Sequence, residues 1–500
     1  MKLFNTTKQL GKCSSLIKSS NINNGLVFYS SSSTYKPNYN EIYKKHFENG
    51  EKDRKLSREE IITTMKENTL FSWNPTEAAA NKALVMEKGE GVFFYDTNGK
   101  KYIDFNSQAM CSNLGHTVPE EVIKAVDQQL RSAAYAYPCA IVTPIKARLS
   151  KLLADIFPGD INHFYYVSGG AEANETAMRM VRLFTGRHKI LARYRSYHGA
   201  TLGAMTLTGD PRRWNSEPGA SGVVHFMDPY PLSFKWGDNE EEIAQNSLKY
   251  LREVIDYEGA KNIAAIFLES VTGTNGILRP PKGYLEGVRQ ICDETGILMV
   301  CDEVMNGFGR TGEMFGFMNS KEVVPDIVTM AKGINGAFLP LGAVGCRDRV
   351  ADHFKKNPIG IGSTYNSHPV TLASAYAALE YMLKNRVLDN VKTLEPVLKS
   401  LLEGLKSRHP TVKGFRSIGL FGTVELQKNS KGEPFIPFNG PPHPAITQLQ
   451  EEVSKNGLYT LFRWSSFFTN PPLVITESEL RYGFDILDKC LTNLDKHFEK

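Results

Sequence analysis

The sequence predicts an α/β protein whose main domain is a mostly parallel sheet with helices on both faces. Short apolar runs alternate with amphipathic helical patterns from about residue 116 to residue 365. In one of these patterns Leu285, Val288 and Ile291 recur at the spacing of a helix face. Strands that alternate with helices are typical of parallel sheets, because a parallel connection needs a long crossover that is usually a helix.

The individual strands are predicted from apolar runs that end at turn residues. Before the sheet, "GVFFYDTNGKKYIDF" predicts a hairpin in which Asn98 and Gly99 form the turn. After it, "HPVTLASAYAALEYML" predicts an alanine-rich helix. The predicted sheet strands are "HFYYVS" (163–168), "NIAAIFLES" (262–270), "GILMVCDEV" (296–304) and "DIVTMAK" (326–332).

A length of 500 residues suggests two or three structural units. We predict a large domain at 116–365. A smaller α/β domain is predicted from an N-terminal segment at 38–115 and a C-terminal part at 366–500.

The first 37 residues differ from the rest in composition. The first forty residues contain five lysines, many serines and no acidic residue, and Leu3, Leu10 and Ile17 fall on one stripe of a helix. This pattern predicts a mitochondrial transit peptide over residues 1–37, and without import the protein is expected in the cytoplasm. The alternative is a disordered polar tail, which the absence of arginine favours.

The overall composition narrows the possible partners. The net charge of +5 is small and not concentrated, so no nucleic-acid partner is predicted. The seven cysteines form no C-x-x-C pair, which argues against a disulfide framework or a structural zinc site, and no metal is predicted. No apolar run approaches the roughly 18 residues of a membrane span.

Three charged residues follow directly after apolar runs: Glu269, Asp302 and Lys332. They are 33 and 30 residues apart, about one strand-helix-strand unit each. Ligands of open α/β sheets bind at the carboxyl ends of the strands, so this spacing predicts one shared crevice. The alternative is a structural buried ion pair between Asp302 and Lys332, but such pairs stabilise weakly.

A glycine-opened helix is predicted after the first sheet strand, in "YYVSGGAEANETAMRMVRLF". Gly169 and Gly170 would expose backbone N–H groups and the positive end of the helix dipole, where a phosphate binds. The alternative is a plain glycine turn. A lysine, an aspartate and a phosphate cradle together describe pyridoxal 5′-phosphate, because the lysine forms a Schiff base and the carboxylate keeps the pyridine nitrogen protonated.

A competing motif is "GFGRTG" (307–312), which matches the glycine pattern of dinucleotide-binding sites. The residues that follow do not form an amphipathic helix, and the acidic pair Asp302-Glu303 precedes the loop. A nicotinamide-dependent dehydrogenase is therefore the weaker alternative.

Several motifs resemble the class III (ω-) aminotransferases, which are fold type I pyridoxal-phosphate enzymes. The resemblance extends from about Trp73 to Phe467 and rests on "GGAEANET", "YRSYHGAT", "CDEVMNGFGRTG", "PDIVTMAKG", "PLGAV" and "STYNSHPV". It implies a large domain with a mainly parallel seven-stranded sheet flanked by helices, a smaller α/β domain, and a homodimer with shared active sites.

The resemblance also implies roles for individual residues. Lys332 would form the Schiff base and move a proton between the substrate and the cofactor, and Asp302 would pair with the pyridinium nitrogen. Val304 would pack on one face of the cofactor ring and Tyr197 on the other, and His198, in the same "YHG" motif, would contribute to cofactor binding.

Phosphate binding is implied for Gly170 and Ala171, and Thr364 would reach the phosphate of the neighbouring subunit's cofactor. Many family members have serine where this chain has Ala171, so one hydroxyl contact would be lost.

On the substrate side, the resemblance implies that Arg416 binds a carboxylate and that Glu269 neutralises Arg416 when no α-carboxylate is present. Three features of the sequence, Trp73, "RYRSYHGAT" and "LTGDPRRW", most resemble the corresponding features of the subgroup that acts on taurine, β-alanine and related ω-amino donors. The implied acceptor is pyruvate or 2-oxoglutarate, in a ping-pong reaction. An aminomutase or a decarboxylase with the same cofactor is the alternative.

Overall fold

The computed structural model describes residues 37–48 and 50–499. The predicted transit peptide therefore lies, apart from residue 37, outside the described residues. The described chain divides into two compact units, of which the first ends at Lys82 and the second begins at Ala83. The predicted division at residues 115 and 365 remains a prediction.

The first unit is helical. Its helices are α1 (Tyr39–Phe47), α2 (Arg58–Asn68) and α3 (Thr76–Lys82). Helix α2 begins with a capping box, in which the side chains of Ser57 and Glu60 each accept a hydrogen bond from the other's backbone N–H.

The second unit contains the strands. In chain order they are β1 (Met86–Glu90), β2 (Phe93–Asp96), β3 (Lys101–Asp104), β4 (Ile161–Val167), β5 (Lys189–Arg193), β6 (Val223–Phe226), β7 (Ile263–Glu269), β8 (Leu298–Asp302), β9 (Ile327–Met330), β10 (Gly342–Arg347), β11 (Val412–Ile418), β12 (Phe421–Leu426), β13 (Leu458–Tyr459), β14 (Phe462–Arg463) and β15 (Ser466–Thr469).

The helices of the second unit alternate with these strands through its central part. They are α4 (Ser107–Met110, one turn with left-handed dihedral angles), α5 (Glu120–Ala133), α6 (Pro144–Ile156), α7 (Gly170–Thr185), α8 (Leu202–Leu207), α9 (Glu240–Glu258), α10 (Tyr284–Thr295), α11 (Asp348–Phe354), α12 (Pro369–Lys384), α13 (Val387–Arg408), α14 (Pro444–Lys455) and α15 (Glu477–Leu494).

The central sheet has seven strands in the order β4-β10-β9-β8-β7-β5-β6. Strands β9, β8, β7, β5 and β6 are parallel to their neighbours in that order, whereas β10 is antiparallel to both β4 and β9. The mainly parallel seven-stranded sheet is thus confirmed. Strand β10 reverses direction because the connection from β9 is a short loop rather than a crossover helix.

Helices cover both faces of this sheet. Along β7, Ala265 and Phe267 belong to one apolar cluster and Ile266 and Leu268 to the other, as the alternation of side chains along a strand requires. The first cluster includes residues of α7, and the second includes residues of α10. All residues of β7 and β8 are buried, so their carboxyl ends are fixed points for a site.

Two four-stranded sheets accompany the central one, with the orders β1-β2-β3-β13 and β11-β12-β15-β14. The predicted hairpin is confirmed, since β2 and β3 pair antiparallel with Phe94 opposite Tyr102, and Gly99 has a φ of 79°. Strand β13 pairs parallel to β3. This pairing joins the C-terminal part of the chain to the hairpin.

Candidate active site

The three charged strand ends meet at one cavity. Glu269 and Asp302 lie opposite each other in the register of β7 and β8, and Lys332 follows β9 by two residues, with a φ of 46°. All three line a cavity of about 500 Å³, which we call the first cavity. Among the residues that the structure describes, no ion pair joins Lys332 to Asp302, whose carboxylate binds other groups. The alternative of a structural ion pair between these two residues is therefore wrong.

Asp302 is held in one orientation by a buried network. Its carboxylate lies 2.8 Å from His198 Nδ1 and accepts hydrogen bonds from the Asn174 side chain (2.8 Å) and from the backbone N–H of Val304 (2.9 Å). Asn174 also donates to the carbonyl of His198 at 2.7 Å and accepts from the Thr329 hydroxyl at 2.7 Å. A carboxylate that is fully oriented by neighbours keeps its position when a ligand binds.

Asn174 is a site residue that the sequence reasoning missed. It lies four residues after Gly170, on the face of α7 that is buried against the sheet. The amide in "GGAEANET" was the available signal, because a fully buried polar side chain needs partners and these turn out to be Asp302 and Thr329.

The N-terminus of α7 opens onto the first cavity. Gly169 is its extended N-cap, and Gly169, Gly170 and Ala171 all line the cavity. A Cβ atom on Gly170 would lie 2.9 Å from a methyl group of Val304, and one on Gly199 would lie 2.5 Å from the Cβ of Ala171. The backbone therefore packs closely around the helix start, whose first N–H groups have no partner within the helix and suit a phosphate.

Tyr197 and Val304 also line the first cavity. The guanidinium of Arg212 lies 3.6 Å from the centroid of the Tyr197 ring. Burial raises the pKa of the Tyr197 hydroxyl, so the side chain stays neutral. Of the eleven predicted site residues, eight line this cavity: Gly170, Ala171, Tyr197, His198, Glu269, Asp302, Val304 and Lys332.

Glu269 is buried and bound by backbone groups. Its carboxylate accepts hydrogen bonds from the N–H of Tyr197 (3.1 Å) and of Gly273 (2.7 Å). Burial raises the pKa of Glu269; His198 opposes this shift, and the negative charge of Asp302 adds to it.

Arg416 lies in a different place from the one its predicted pairing requires. It lines a second cavity of about 360 Å³, where it donates to the carbonyl of Gly276 (2.7 Å) and to the carboxylate of Glu425 (2.7 Å). The predicted pair with Glu269 is not formed in this structure, because the backbone N–H groups of Tyr197 and Gly273 already bind that carboxylate. Burial by itself would raise the pKa of Glu425. The positive charge of Arg416 outweighs burial and holds that pKa below its usual value.

Thr364 does not line the first cavity. Thr364 is exposed, and its carbonyl accepts a hydrogen bond from the Tyr135 hydroxyl at 3.0 Å. Trp73 is in the first unit, between α2 and α3, and 57% of its surface is exposed. Their roles remain predictions.

The "GFGRTG" segment is packed into the core through Arg310. Arg310 in this loop is fully buried and donates to the carbonyls of Leu420 and Pro471 and to the Ser107 hydroxyl. The next helical element after the loop is a short 3-10 helix, Gly316–Asn319, and not the α-helix that a dinucleotide-binding motif opens. A guanidinium that ties three distant segments together explains the motif without a dinucleotide.

The first cavity fits pyridoxal phosphate. It provides an amine on Lys332, an oriented carboxylate on Asp302 and a helix N-terminus, and Val304 and Tyr197 line it as well.

Within the described ranges, no group of three or more His, Cys, Asp or Glu side chains could hold a metal ion. No helix of the described chain is long and apolar enough to cross a bilayer.

Comparison with known proteins identifies the family. The model of the aminotransferase class-III family matches residues 76–491. The chain therefore belongs to the class III aminotransferases, and it is a pyridoxal-phosphate-dependent transaminase of fold type I.

Its relatives cover most of the chain. A putrescine–pyruvate aminotransferase from Pseudomonas aeruginosa is 30% identical over 82% of this chain and 90% of its own length. The mitochondrial gamma-aminobutyrate transaminase 1 of Solanum lycopersicum is 30% identical over 86% of this chain and 84% of its own.

Among solved structures, a taurine:2-oxoglutarate aminotransferase from Bifidobacterium kashiwanohense, in complex with pyridoxal phosphate and glutamate, is similar with a TM-score of 0.84 and 37% identity. It covers 89% of this chain and 100% of that one. An (S)-enantioselective omega-transaminase from Thermomicrobium roseum is similar with a TM-score of 0.83 and 31% identity, over 88% and 100% of the two chains.

Proposed function

We propose that this transaminase moves an amino group from an ω-amino donor, such as taurine, β-alanine, γ-aminobutyrate or a diamine, to a 2-oxo acid. The observation that carries the proposal is that the second unit contains two cavities, one with Lys332 and Asp302 and the other with Arg416. Relatives and a similar structure named for putrescine, γ-aminobutyrate and taurine support the donor class.

Each residue of the first cavity has a separate task in the proposed reaction. When bound, pyridoxal phosphate supplies an aldehyde that carries the amino group and a ring that accepts electrons. Lys332 holds the cofactor and moves the proton at the substrate carbon that bears the amino group. Asp302, oriented by His198 and Asn174, keeps the proton on the ring nitrogen.

The second cavity supplies acid-group recognition. Arg416 binds a substrate carboxylate through its planar guanidinium, and Glu425 occupies that guanidinium when no substrate is present. An exchangeable counter-ion lets one site accept, in turn, an amine without an α-carboxylate and a 2-oxo acid with one.

The test is a donor and acceptor panel with the purified holoenzyme. Taurine, β-alanine, γ-aminobutyrate, putrescine and alanine are each added alone, and loss of the yellow colour identifies donors. Pyruvate or 2-oxoglutarate is then expected to restore the colour and release the corresponding amino acid. Release of carbon dioxide would indicate a decarboxylase, and an isomeric amino acid an aminomutase; either would overturn the proposal.

We also propose a homodimer with shared sites. Thr364 lies outside its own chain's first cavity and is exposed, as expected for a residue that reaches a partner's cofactor. Two exposed aromatic residues lie beside it: Tyr135, whose hydroxyl donates to the Thr364 carbonyl, and Tyr365, which are 44% and 65% exposed. Light scattering is expected to show a dimer. Thr364→Ala is expected to weaken retention of the cofactor while the protein remains a dimer. A monomer with full activity would contradict this proposal.

For location, we propose import into mitochondria through residues 1–37, on the basis of their lysine- and serine-rich composition. A fluorescent protein that carries these residues is expected to enter mitochondria. Diffuse cytoplasmic fluorescence would refute the proposal.

A further inference from the structure

Thr329, on β9, is a fully buried residue that has no task in the reaction as described so far. It does not line the first cavity. Its hydroxyl donates to the side-chain oxygen of Asn174 at 2.7 Å, and the amide nitrogen of Asn174 donates to the Asp302 carboxylate at 2.8 Å. Thr329 is thus connected to the carboxylate of the first cavity through a single intervening amide.

The backbone of Thr329 is bound beside the same carboxylate. Thr329 lies opposite Asp302 in the parallel register of β8 and β9, and its carbonyl accepts a hydrogen bond from the N–H of Glu303 at 2.9 Å. Lys332 follows Thr329 by three residues. Since the sheet fixes both strands, it also fixes the Thr329 hydroxyl relative to Asp302 and to the segment that carries Lys332.

Asn174 joins three elements that surround the first cavity. It lies in α7, whose N-terminus suits a phosphate, and its side chain contacts Asp302 at the end of β8 and Thr329 on β9. Its amide nitrogen also donates to the carbonyl of His198 at 2.7 Å. An amide has two N–H donors and one oxygen, so every polar group of this buried side chain is bound.

The hydrogen bonds of Asn174 decide which end of its amide faces Asp302. The nitrogen end faces two acceptors, the Asp302 carboxylate and the His198 carbonyl, and the oxygen end faces the Thr329 hydroxyl. Among the described residues, Thr329 is the donor to that oxygen. Without the hydroxyl the oxygen would be buried and unsatisfied, so the amide would move and its hold on Asp302 would weaken.

Other buried threonines bind their local backbone instead. The hydroxyls of Thr176 and Thr208 each donate to the carbonyl four residues earlier in the chain. The Thr329 hydroxyl binds a side chain on a different element, 155 residues away in the sequence. Bonds between two side chains are the minority in folded proteins, so this one is not explained by the local needs of a strand.

We propose that Thr329 is a positioning residue, which acts through Asn174 to hold the Asp302 carboxylate in one orientation toward the ring nitrogen of pyridoxal phosphate. The same pair ties α7, β8 and β9 together, and these elements carry the groups for the phosphate, the ring nitrogen and the cofactor aldehyde. The inference rests on the proposed function, because it uses the task proposed there for Asp302.

The first experiment measures cofactor binding rather than activity. The full-length protein is loaded with pyridoxamine phosphate, which forms no bond with Lys332, and its Kd is measured by equilibrium dialysis. Thr329→Val keeps a β-branched residue in the strand and removes the hydroxyl, so the Kd is expected to rise about 3- to 30-fold. Thr329→Ser restores the hydroxyl, and its Kd is expected to stay within about twofold of that of the natural protein.

Thr411→Val is the matched control for the loss of a buried hydroxyl. Thr411 is also fully buried, and its hydroxyl donates to the carboxylate of Asp495, but it lines neither cavity. This substitution is expected to lower the thermal midpoint, as Thr329→Val does, and to leave the Kd of pyridoxamine phosphate within about twofold.

Turnover separates positioning from substrate binding. In Thr329→Val, kcat is expected to fall about 3- to 30-fold while the KM of the amino donor changes less than about twofold, because Thr329 does not line the cavity. Asn174→Ala removes the intervening amide and is expected to lower kcat at least as far. Adding Thr329→Val to Asn174→Ala is expected to have no further effect, since both act on Asp302 through the same bond.

Unchanged Kd and kcat in Thr329→Val would overturn the inference, and so would an additive loss in the double variant or a failure of Thr329→Ser to restore binding. If Asp302→Asn keeps full turnover, the task proposed for Asp302 is wrong. A large loss in Asp302→Asn together with none in Thr329→Val or Asn174→Ala would refute the role of Thr329 alone.

Discussion

The two cavities hold their charged groups in opposite ways. In the first cavity, Asp302 is fixed by His198, Asn174 and a backbone N–H, none of which a substrate would displace. In the second, Arg416 is held by the carboxylate of Glu425, and an incoming carboxylate can take its place. Proton chemistry needs fixed geometry, whereas the alternation of two substrates needs exchangeable partners.

The largest expected effect comes from Asp302 itself. In Asp302→Asn, turnover with the best donor is expected to fall by about 10- to 1,000-fold, since a neighbouring opposite charge moves a pKa by one to three units. Stopped-flow absorbance of the amine half-reaction measures the loss, and the visible spectrum checks that the cofactor is still bound. Turnover equal to that of the natural protein would show that the fixed carboxylate is not needed.

A smaller effect is expected from Glu303, the buried neighbour of Asp302. Burial raises its pKa to about 7. The folded protein therefore keeps a proton between about pH 4.5 and 7 that the unfolded chain releases, so this group makes stability fall as pH rises through that window.

Glu303→Gln removes this dependence. The difference in free energy of unfolding between variant and natural protein, measured by urea denaturation, is expected to change between pH 5 and 7 by at most about 1.4 kcal/mol per pH unit, and to level off above about pH 8. A constant difference across the whole range would show that Glu303 is ionised throughout.

The smallest expected effect concerns the counter-ion of Arg416. Glu425→Gln removes a competitor for the guanidinium, so the Kd of butyrate is expected to fall by about two- to fivefold, in line with a partly exposed ion pair. Glu269→Gln is the matched comparison and is expected to leave that Kd unchanged, because Glu269 does not contact Arg416. If instead Glu269→Gln lowers the Kd of butyrate and Glu425→Gln leaves it unchanged, Glu269 is the residue that neutralises Arg416.

The first cavity could be predicted from the sequence because three of its charged residues recur at nearly regular intervals along the chain. Glu269 and Asp302 end β7 and β8, and Lys332 follows β9 by two residues. These three strands are parallel neighbours, so their carboxyl ends meet at one edge of the sheet. The antiparallel β10 could not be predicted, since alternation of strands and helices does not reveal a short return connection.

The second cavity could not be predicted for a different physical reason. Gly276, Arg416, Glu425 and Arg463 meet only through the packing of a loop against two hairpins. No period in the sequence relates these positions. The pairing of Arg416 with Glu425 rather than Glu269 depends on which carboxylate the backbone N–H groups already bind, and that is a property of the folded chain.

The most direct test of the account locates the lysine that carries the cofactor. Borohydride reduction of the yellow holoenzyme makes the bond between a lysine amine and pyridoxal phosphate permanent, and mass spectrometry of a digest then identifies the residue. The account predicts the added mass on Lys332 and none in Lys332→Ala. Attachment to any other lysine of the natural protein, or no attachment at all, would contradict it.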